Sequence, residues 1–476
     1  MTLPESWHGD WSKLSAVVLG LGKSGFSVVD TLIELGVRCT AIAGKVDDEI
    51  KDLTEVIGGK LLIGESPELV SGLSRPDFAV VSPGYRPTHP QVVALKQLGV
   101  PIFTDIDLAH RLRDKTSRVS QWLTITGTNG KTTTSELTAH ILRTNGFKAI
   151  ACGNIGNPIL DAIRDPEGFD YLVVELSSFQ LHYSHEIPAV AAAFLNFAED
   201  HLDWHGDMQN YLSAKSKVYQ GAQKAIVFNE ADQMTYEAAK NADVVEGCRA
   251  VSFTLGIPAR SMVGFVEEFL VDRAFLEERA DSALEIAETS DLEKIGPVTD
   301  QLKQNVAAAT ALCRAIGVAP LAIKKAIQTF SLSPHRVQLV ATTNDVSFVD
   351  DSKATNAHAA NGSLSSFSSV IWIVGGLLKG VDPAPLIQQH GSRLKAAIVI
   401  GKDTSELESL FSSLLPELPL RVLTGESMEN AVRAAVELAR AGDTVLLAPA
   451  AASMDQYRDY ADRGEQFQAA VRKLVK

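Results

Sequence analysis

The chain has 476 residues, of which 45% are hydrophobic and 21% are charged. This balance is typical of globular proteins with full cores, and at roughly 100–200 residues per domain the length predicts three domains. The formal net charge is -14 and no run of Lys or Arg stands out. A nucleic-acid partner, which needs a basic surface, is therefore not expected. A phosphate ligand is still compatible with this charge, because a few local donors can hold it.

The cysteines and the apolar runs indicate a compartment. The four cysteines lie far apart and form no Cys-x-x-Cys pair: Cys39, Cys152, Cys248 and Cys313. This spacing predicts reduced thiols in a reducing compartment. Residues 1–12 are polar and lack the apolar core of a signal peptide, and no apolar run reaches the roughly 18 residues of a membrane-spanning helix. We expect a cytoplasmic protein that does not insert into a membrane.

The first part of the chain alternates between strand and helix patterns. A strand is predicted at 16–19, a Gly-rich turn at 20–25, a helix at 26–35 and a strand at 37–43. A further strand at 78–81 ends in a Ser-Pro-Gly turn. Such alternation predicts a parallel sheet with helical crossovers. The chain turns polar near 114–120, which we interpret as a first domain boundary.

The same alternation continues in the middle and at the end. Strands are predicted at 122–126, 171–175 and 225–229, with an apolar segment at 189–196, and helices at 132–145, 305–316 and 321–329. Residues 261–293 are acidic, and we predict an irregular surface excursion there. The segment 331–336, which contains Pro334, marks a second boundary. Beyond it, strands are predicted at 347–349, 370–374, 396–400 and 444–447.

A glycine-rich loop joins the strand at 122–126 to the helix at 132–145. It reads Gly127-Thr128-Asn129-Gly130-Lys131-Thr132, followed by Thr133. Backbone N–H groups of such a loop, together with the helix N-terminus, hold phosphates, the lysine lies against the β- and γ-phosphates, and the threonine hydroxyl ligates Mg²⁺. Ile125 occupies the place of the first glycine in the longer form of this motif. The strand before the loop and the helix after it favour a Mg-ATP site over a chance turn.

The turn at 20–25, Gly-Leu-Gly-Lys-Ser-Gly, fits a dinucleotide fingerprint less well. That fingerprint expects an acidic residue about 20 positions on, at the tip of the second strand. The tip here reads Ala43-Gly44-Lys45, and Asp47 lies beyond it. A nicotinamide-dependent oxidoreductase is therefore less favoured than a nucleotide-sugar diphosphate bound at the same helix N-terminus.

Carboxylates and imidazoles follow the glycine-rich loop at 127–132 in the chain. Glu175 ends a hydrophobic strand, where a Mg²⁺ ligand beside a phosphate loop is expected. The segment 199–205 reads Glu-Asp-His-Leu-Asp-Trp-His. Placing so many carboxylates and imidazoles together costs free energy unless a cation or a hydrogen-bond network satisfies them. We favour a Mg²⁺ site there over a solvated acidic loop. Lys215 is, by its pattern alone, an ordinary helix lysine.

Taken together, these segments resemble those of the Mur ligases over essentially the whole chain, in particular the members that add D-glutamate. The most discriminating segment is Glu-Leu-Ser-Ser-Phe-Gln-Leu at 175–181. Further matching blocks are Gly-Asn-Ile-Gly at 153–156, Asp-Ser-Lys-Ala-Thr-Asn at 351–356 and Pro-Ala-Ala-Ala-Ser-Met-Asp-Gln at 449–456.

The resemblance implies an α/β fold of three domains. They are a Rossmann-like binder of the uridine nucleotide at 1–115, a central ATPase-type domain at 116–332 and a Rossmann-like amino-acid domain at 333–476. It also implies a reaction: ATP phosphorylates the carboxylate of UDP-N-acetylmuramoyl-L-alanine, and the amine of D-glutamate displaces the phosphate. Such a protein acts in peptidoglycan precursor synthesis on small-molecule substrates and is expected to be a monomer.

The resemblance also implies roles for single residues. Catalytic roles are implied for Lys131, Glu175, His201 and Lys215. Metal binding is implied for Thr132, Glu175, His201 and Lys215. Two Mg²⁺ ions are implied, and Lys215 matches a lysine that is carbamylated in the family. Contacts with ATP are implied for residues 127–133 and for Asn305, Arg336 and Asp351. Binding of the nucleotide-sugar is implied for Gly22, Ser24, Ser82, Asn154 and Gln180. Binding of D-glutamate is implied for Thr355, Lys379, Ser453 and Tyr460.

Two segments depart from the family pattern. Some members carry Asp-Thr-Arg at the tip of the second strand, where the Asp reads the uracil, and this chain has Ala43-Gly44-Lys45. Residues 299–302, Thr-Asp-Gln-Leu, replace a Gly-x-His-Asn segment of the adenosine site. The alternatives are a related ligase for another amino acid or for folate, a nicotinamide-dependent oxidoreductase, and a nucleotide-binding scaffold without activity.

Overall fold

A computed structural model of the chain describes residues 3–475 apart from 186 and 188. Three β-sheets follow one another along the described residues, with helices between their strands. By its internal contacts the chain divides into two compact units. The first unit comprises Met1–Phe197, Trp204–Glu288 and Gln304–Ile327, and the second comprises Ala198–Asp203, Thr289–Lys303 and Gln328–Lys476.

The first sheet is entirely parallel. Its strands are β1 (Ser15–Leu19), β2 (Arg38–Ala43), β3 (Lys60–Ile63), β4 (Phe78–Val81) and β5 (Ile102–Phe103). Its helices are α1 (Lys23–Glu34), α2 (Asp48–Val56), α3 (Glu68–Ser71), α4 (Pro90–Gln97) and α5 (Asp105–Arg111). The strand order is β3-β2-β1-β4-β5. The order reverses between β1 and β4, so the crevice for a ligand is expected at the carboxyl ends of these strands.

The second sheet has nine strands, in the order β14-β13-β12-β11-β10-β9-β6-β8-β7. They are β6 (Gln121–Thr126), β7 (Ala149–Gly153), β8 (Tyr171–Glu175), β9 (Ala189–Phe194), β10 (Ala225–Asn229), β11 (Arg249–Phe253), β12 (Met262–Val266), β13 (Phe269–Asp272) and β14 (Leu284–Glu288). The pairs β12–β13 and β13–β14 are antiparallel, and the other pairs described by their registers are parallel.

The irregular excursion predicted at 261–293 is wrong where the segment forms β12, β13 and β14, whereas residues 273–283 contain turns and bends but no strand or helix. Two buried apolar residues, Phe265 and Leu270, lie opposite each other across the antiparallel β12–β13 hairpin. Glu267, at a φ of 52°, and Glu268 form its turn. Most of the acidic residues lie on turns and exposed faces, as an antiparallel sheet with one buried face allows. Asp272 and Asp291 are buried, and Asp272 accepts from Arg314 at 2.8 Å.

Helices and short turns connect the strands of the second sheet. They are α6 (Lys131–Thr144), α7 (Ile159–Arg164), α8 (Ser178–Tyr183), α9 (Leu202–His205), α10 (Met208–Ser216), α11 (Gln233–Lys240), α12 (Thr289–Leu292), α13 (Asp300–Ala315) and α14 (Pro320–Thr329), with a 3-10 turn at Lys217–Tyr219. The predicted helices at 132–145, 305–316 and 321–329 correspond to α6, α13 and α14, so these three predictions are confirmed.

The third sheet has the order β15-β16-β20-β17-β18-β19. Its strands are β15 (Gln338–Thr343), β16 (Val346–Asp350), β17 (Val370–Gly375), β18 (Leu394–Gly401), β19 (Leu420–Thr424) and β20 (Thr444–Leu447). Its helices are α15 (Ala357–Ser365), α16 (Ala384–His390), α17 (Ser405–Leu414), α18 (Met428–Leu438) and α19 (Tyr460–Leu474), with a 3-10 turn at Gly391–Arg393. Only the β15–β16 pair is antiparallel among the described registers.

Burial on both faces of the central strands explains why their sequences are continuous apolar runs. Every residue of β17 is buried, as expected for a parallel strand covered on both faces. The four cysteines are free; Cys248 is half-buried, and the other three are buried. Burial raises the pKa of Cys39 to about 12 and raises the pKa of Cys152 and Cys313 further. Among the described residues, no helix combines the length and apolarity needed to cross a membrane.

Candidate functional site

The loop after β6 has the shape of a phosphate cradle. β6 ends at Thr126 and α6 begins at Lys131, so the loop opens on a helix N-terminus. Gly130 has a φ of 80°, which favours glycine. A Cβ at Gly130 would also collide with the carboxamide oxygen of Asn305. The predicted ATP residue Asn305 therefore lies directly against the loop.

Asn196 holds this loop in place. Its backbone oxygen accepts from the N–H of Thr128 at 3.0 Å, and its Oδ1 accepts from the N–H of Asn129 at 2.8 Å. Its Nδ2 donates to the backbone oxygen of Asn129 at 3.1 Å. The Thr128 hydroxyl lies 3.2 Å from the hydroxyl of Tyr211. The loop is thus shaped by the protein itself, which lowers the entropy that a ligand must remove.

Two lysines converge on one carbonyl of the loop. Lys131 donates from Nζ to the Gly127 oxygen at 2.8 Å and to the Thr128 oxygen at 2.9 Å. Lys215, on α10 and 2% exposed, donates from Nζ to the same Gly127 oxygen at 2.8 Å. Its Nζ also lies 4.9 Å from the centroid of the Tyr211 ring. The interpretation of Lys215 as an ordinary solvated helix lysine is wrong, because tertiary packing places it in the interior.

Glu175 links the loop to a neighbouring strand end. It closes β8 and is 2% exposed. Its Oε2 accepts from the Thr132 hydroxyl at 2.8 Å, and its Oε1 accepts from the Asn154 amide at 3.0 Å. Gly153 has a φ of 95°, and a Cβ there would stand 2.5 Å from the Glu175 backbone oxygen. A glycine at this position lets the two strand ends approach closely.

The donor set around Glu175 fits Mg²⁺ better than a transition metal. The described residues contain no group of three or more His, Cys, Asp or Glu side chains that could hold a metal ion together. Mg²⁺ typically takes one or two protein oxygens and completes its shell with water and substrate phosphates. The Thr132 hydroxyl and the Glu175 carboxylate are such oxygens, and they lie at the mouth of the phosphate loop.

The segment 199–205 is divided between the two units. In the second unit Asp200 is buried, its Oδ2 accepts from the Asn356 amide at 3.2 Å, and it lies 3.5 Å from Nε2 of His201. His201 has a φ of 55°. In the first unit His205 pairs through Nε2 with the Ser178 hydroxyl at 2.9 Å. The buried carboxylate is satisfied by a polar network.

Three of the nucleotide-sugar candidates, Gly22, Ser24 and Ser82, lie at the carboxyl edge of the first sheet. Gly22 is the N-cap of α1. The Ser82 hydroxyl donates to the Gly20 oxygen at 3.1 Å and closes the β1 and β4 ends on each other. A small cavity at this point is lined by Ser24, Ser82 and Asp105, among others. The structure therefore brings Ser24 and Ser82 together at the switch point.

Asp105 joins this cavity to Gln180. The Gln180 Nε2 lies 3.3 Å from both carboxylate oxygens of Asp105, and its Oε1 accepts from the N–H and the hydroxyl of Ser177 at 3.1 Å each. Burial raises the pKa of Asp105 to about 6. Asp105 was not predicted from the sequence, although Thr104 and Asp107 around it form a capping box, which places Asp105 in the first turn of a helix.

Within the second unit, the segments around 351 and 453 are tied together. Arg463, 1% exposed, donates to the backbone oxygen of Ser352 at 2.9 Å and to that of Ala451 at 3.1 Å. Ser352 donates to the Tyr460 backbone oxygen at 2.8 Å. The Lys353 ammonium lies 3.7 Å from the centroid of the Tyr460 ring. Arg463 and Lys353 were not singled out in the sequence.

The other predicted residues of this unit have separate surroundings. Leu377 and Ala452 exchange two backbone hydrogen bonds of 2.9 Å, which brings the Lys379 and Ser453 loops side by side. Lys379 has a φ of 56°, and the Thr355 N–H donates to the Lys353 oxygen at 2.8 Å. Asp351 accepts from the Ser363 hydroxyl and from the Val337 N–H, next to Arg336. Burial raises the pKa of Asp351 to about 7.

Comparison with protein families decides between the alternatives. The model described as "Mur ligase middle domain" matches residues 125–311, and the model described as "Mur ligase, glutamate ligase domain" matches residues 335–451. The chain belongs to the Mur ligase family. The predicted family is thus confirmed, and so is the prediction of an ATP-dependent, amide-forming ligase.

Relatives within the Mur ligase family match along the whole chain. A protein of Leifsonia xyli named UDP-N-acetylmuramoylalanine–D-glutamate ligase is 48% identical, over 99% of this chain and 94% of its own length. A protein of the same name from Streptomyces coelicolor is 42% identical, over 98% of this chain and 99% of its own length. These similarities do not support the oxidoreductase or the folate-ligase alternatives.

Solved Mur ligase structures share the fold. MurC of Thermotoga maritima has a TM-score of 0.59 at 16% identity and covers 97% of this chain and 99% of its own. MurF of Thermotoga maritima, solved with ADP, has a TM-score of 0.55 at 17% identity and covers 98% of this chain and 99% of its own. The predicted three-domain α/β fold is confirmed.

Proposed function

We propose that this chain joins D-glutamate to UDP-N-acetylmuramoyl-L-alanine at the expense of ATP, in peptidoglycan precursor synthesis. The relatives named for this reaction support the proposal, because they match nearly every residue of the chain. The observation in the structure that carries it is the hydrogen-bonded set Thr132–Glu175–Asn154 beside the Gly127 loop. It connects residues predicted to touch ATP with a residue predicted to touch the nucleotide-sugar.

The reaction has two steps. The terminal carboxylate of the nucleotide-sugar attacks the γ-phosphorus of ATP, which gives an acyl phosphate and ADP. The amine of D-glutamate then attacks the acyl carbon, phosphate leaves, and the amine loses a proton to form the amide. The carboxylate must be activated because it is a poor acyl donor, and the protein contributes positioning and charge neutralisation.

Residues of the first unit suit the first step. Lys131 would exchange its contacts with the loop carbonyls for contacts with phosphate oxygens, with the α6 N-terminus adding positive potential. Thr132 and Glu175 would hold a Mg²⁺ ion, which when bound neutralises phosphate charge. A second Mg²⁺ held with the help of His201, and carbamylation of Lys215, stay predictions from the family resemblance.

Several coarser features complete the proposal. The three sheets support domain boundaries at 1–115, 116–332 and 333–476, for the nucleotide-sugar, ATP and the amino acid respectively. The roles of Arg336, Asp351, Thr355, Lys379, Ser453 and Tyr460 are proposed on the family resemblance. The protein is proposed to act as a monomer in the cytoplasm, on small-molecule substrates alone.

A phosphate-release assay tests this function. The chain is supplied with ATP, Mg²⁺ and UDP-N-acetylmuramoyl-L-alanine, and each of a panel of amino acids is added in turn. Release is expected with D-glutamate and is expected to need both the nucleotide-sugar and the amino acid. The Lys131→Ala variant, assayed in parallel, controls for contaminating phosphatases. Release with L-glutamate and none with D-glutamate would refute the proposal.

A further inference from the structure

A glutamate crosses the end of β2, where the sequence places no acidic residue. β2 ends at Ala43, and Gly44 follows it. A Cβ built on Gly44 would stand 2.5 Å from Oε1 of Glu65 and 2.9 Å from its Cγ. Glu65 follows β3, and the Gly64 N–H donates to the Ala43 oxygen at 2.9 Å, which holds the two strand ends together. Because Gly44 has no side chain, the Glu65 carboxylate can occupy the space beside it.

Tyr85 borders the same edge of the sheet. Its Cε2 lies 3.0 Å from where a Cβ on Gly20 would stand, in the turn after β1. Burial raises the pKa of Tyr85, and the negative charge of Glu65 raises it further. The Tyr85 backbone is fixed, since its N–H donates to the Ser82 oxygen at 3.1 Å and its oxygen accepts from the Tyr183 hydroxyl at 3.0 Å. Tyr85 is thus close to the Gly20 turn and near the Glu65 carboxylate, at the same edge of the sheet.

Parallel sheets of this strand order bind nucleotides in a fixed direction. The diphosphate lies at the turn after β1, and the nucleoside extends over the end of β2, where an acidic residue accepts from a hydroxyl. A carboxylate can only accept hydrogen bonds, and the donors of a uridine are its N3–H and its two ribose hydroxyls. Glu65 is exposed at this position and is available to such donors.

We propose that Glu65, admitted by Gly44, is the residue that recognises the uridine of the nucleotide-sugar. It takes the place of an acidic residue at the tip of β2 and approaches from the neighbouring strand. This inference rests on the proposed function, in which the first sheet holds the nucleotide-sugar. Gly44 and Glu65 form one unit, because any side chain at position 44 displaces the carboxylate.

UDP binding to the full chain, measured by isothermal titration calorimetry, tests the proposal. Glu65→Gln is expected to weaken UDP binding by about 10-fold to 100-fold, the factor for a hydrogen bond to a charged group. Gly44→Ala should weaken it similarly, and the double variant should bind little worse than either single one. Glu55→Gln, which removes the same charge from an exposed position on α2, should bind as the natural chain does.

Two analogues identify the donor. N3-methyl-UDP removes the base donor, and 2′-deoxy-UDP removes a ribose donor. One of them is expected to bind the natural chain more weakly than UDP and to lose no further affinity in Glu65→Gln. Unchanged UDP affinity in Glu65→Gln would overturn the proposal, and so would a loss in Asp47→Asn alone, which would assign recognition to the acid after the β2 tip.

A second variant separates this inference from the placement of the substrate. A Cβ on Gly22 meets no atom within 4 Å, so Gly22→Val is compatible with the fold but occupies the approach to the α1 N-terminus. If Gly22→Val abolishes UDP binding and Glu65→Gln leaves it unchanged, the role of Glu65 is wrong while the placement stands. If both bind UDP as the natural chain does, the placement on the first sheet is wrong, and the inference fails with it.

Discussion

Nζ of Lys215 donates a 2.8 Å hydrogen bond to the backbone oxygen of Gly127. This bond connects the interior of α10 with the first residue of the phosphate loop, 88 positions earlier in the chain. A buried ammonium group is costly without partners, and the Gly127 oxygen and the Tyr211 ring are partners of Lys215. The contact also explains why its pattern in the sequence was uninformative, since only the fold brings the two segments together.

Replacing Lys215 with alanine should lower kcat by about 100-fold or more, because a family-type carbamate would be lost as a metal ligand. Added acetate or formate should restore part of the activity by supplying a carboxylate in its place. Phosphate release measured with and without these acids checks the prediction. Lys217→Ala is the matched control, since Lys217 is bonded to the His182 and Ser184 carbonyls instead; its activity should not respond to the acids. Full activity of Lys215→Ala without additives would contradict the carbamate.

The Lys131→Ala variant should lose turnover by about 1,000-fold or more, because the cation that neutralises the transferred phosphate is removed. Its affinity for the nucleotide-sugar should stay within about twofold, since the first sheet is untouched. Steady-state kinetics and calorimetry measure the two quantities. Lys224→Ala, at an exposed position, serves as the control. Substantial turnover in Lys131→Ala would assign the phosphate contact to another residue.

Gly130→Ala should weaken ATP binding by about 10-fold or more and destabilise the fold by about 1–3 kcal/mol. A Cβ at Gly130 meets the Asn305 carboxamide, and the φ of 80° disfavours any side chain. Gly146→Ala is the matched control, because Gly146 has a φ of 85° and open space around it. It should carry only the conformational cost, about 1–2 kcal/mol, and leave ATP binding unchanged. Equal ATP affinities for the two variants would show that the loop tolerates the contact.

Asp105→Asn should stabilise the chain at pH 7 and above. Burial raises the pKa of Asp105 from 3.8 to about 6, so the folded chain binds more protons than the unfolded chain between these values. The free energy of unfolding therefore falls as the pH rises through this window, by about 3 kcal/mol at most. Urea unfolding from pH 4 to pH 8 measures this effect. The free energy of unfolding of Asp105→Asn should exceed that of the natural chain above pH 6, and the difference should disappear near pH 4.

Asp77 is a control whose pKa is shifted in the opposite direction to that of Asp105. Hydrogen bonds from the Ser15 backbone and hydroxyl lower the pKa of Asp77, so its contribution is present above the ordinary pKa of an aspartate and is lost as the pH falls. Asp77→Asn should therefore be less stable than the natural chain at pH 7. A stabilisation of both variants at pH 7 would contradict the assignment of the Asp105 effect to its buried charge.

The parts of the site that lie on a strand–loop–helix junction could be predicted from the sequence. Lys131 and Thr132 follow β6, Glu175 ends β8, and strands of a parallel sheet end at a common edge. Asn196, Asp105 and Arg463 could not be predicted, since their partners lie 67, 75 and 111 positions away. Local patterns specify which side chains emerge at an edge, but the partners of those side chains are fixed by tertiary packing.

The hairpins β12–β13 and β13–β14 consist of strands that the sequence pattern did not predict. Acidic residues are spread through 261–293, so the segment has the charge of a loop. The apolar residues of β12 and β13 flank the turn at Glu267 and Glu268, and their pairing is specified only when β13 lies between β12 and β14. The preference of a short strand depends on such cross-strand neighbours.

The buried cysteines have a practical consequence for chemical labelling. Thiolates react with electrophiles, and the raised pKa values of Cys39, Cys152 and Cys313 leave almost no thiolate at neutral pH. Cys248, half-buried and also of raised pKa, is the only native competitor among the four. A cysteine introduced at an exposed position, such as that of Glu55, should therefore take up a maleimide dye selectively. Replacing Cys248 alone should then leave a single reactive site for a fluorescent reporter.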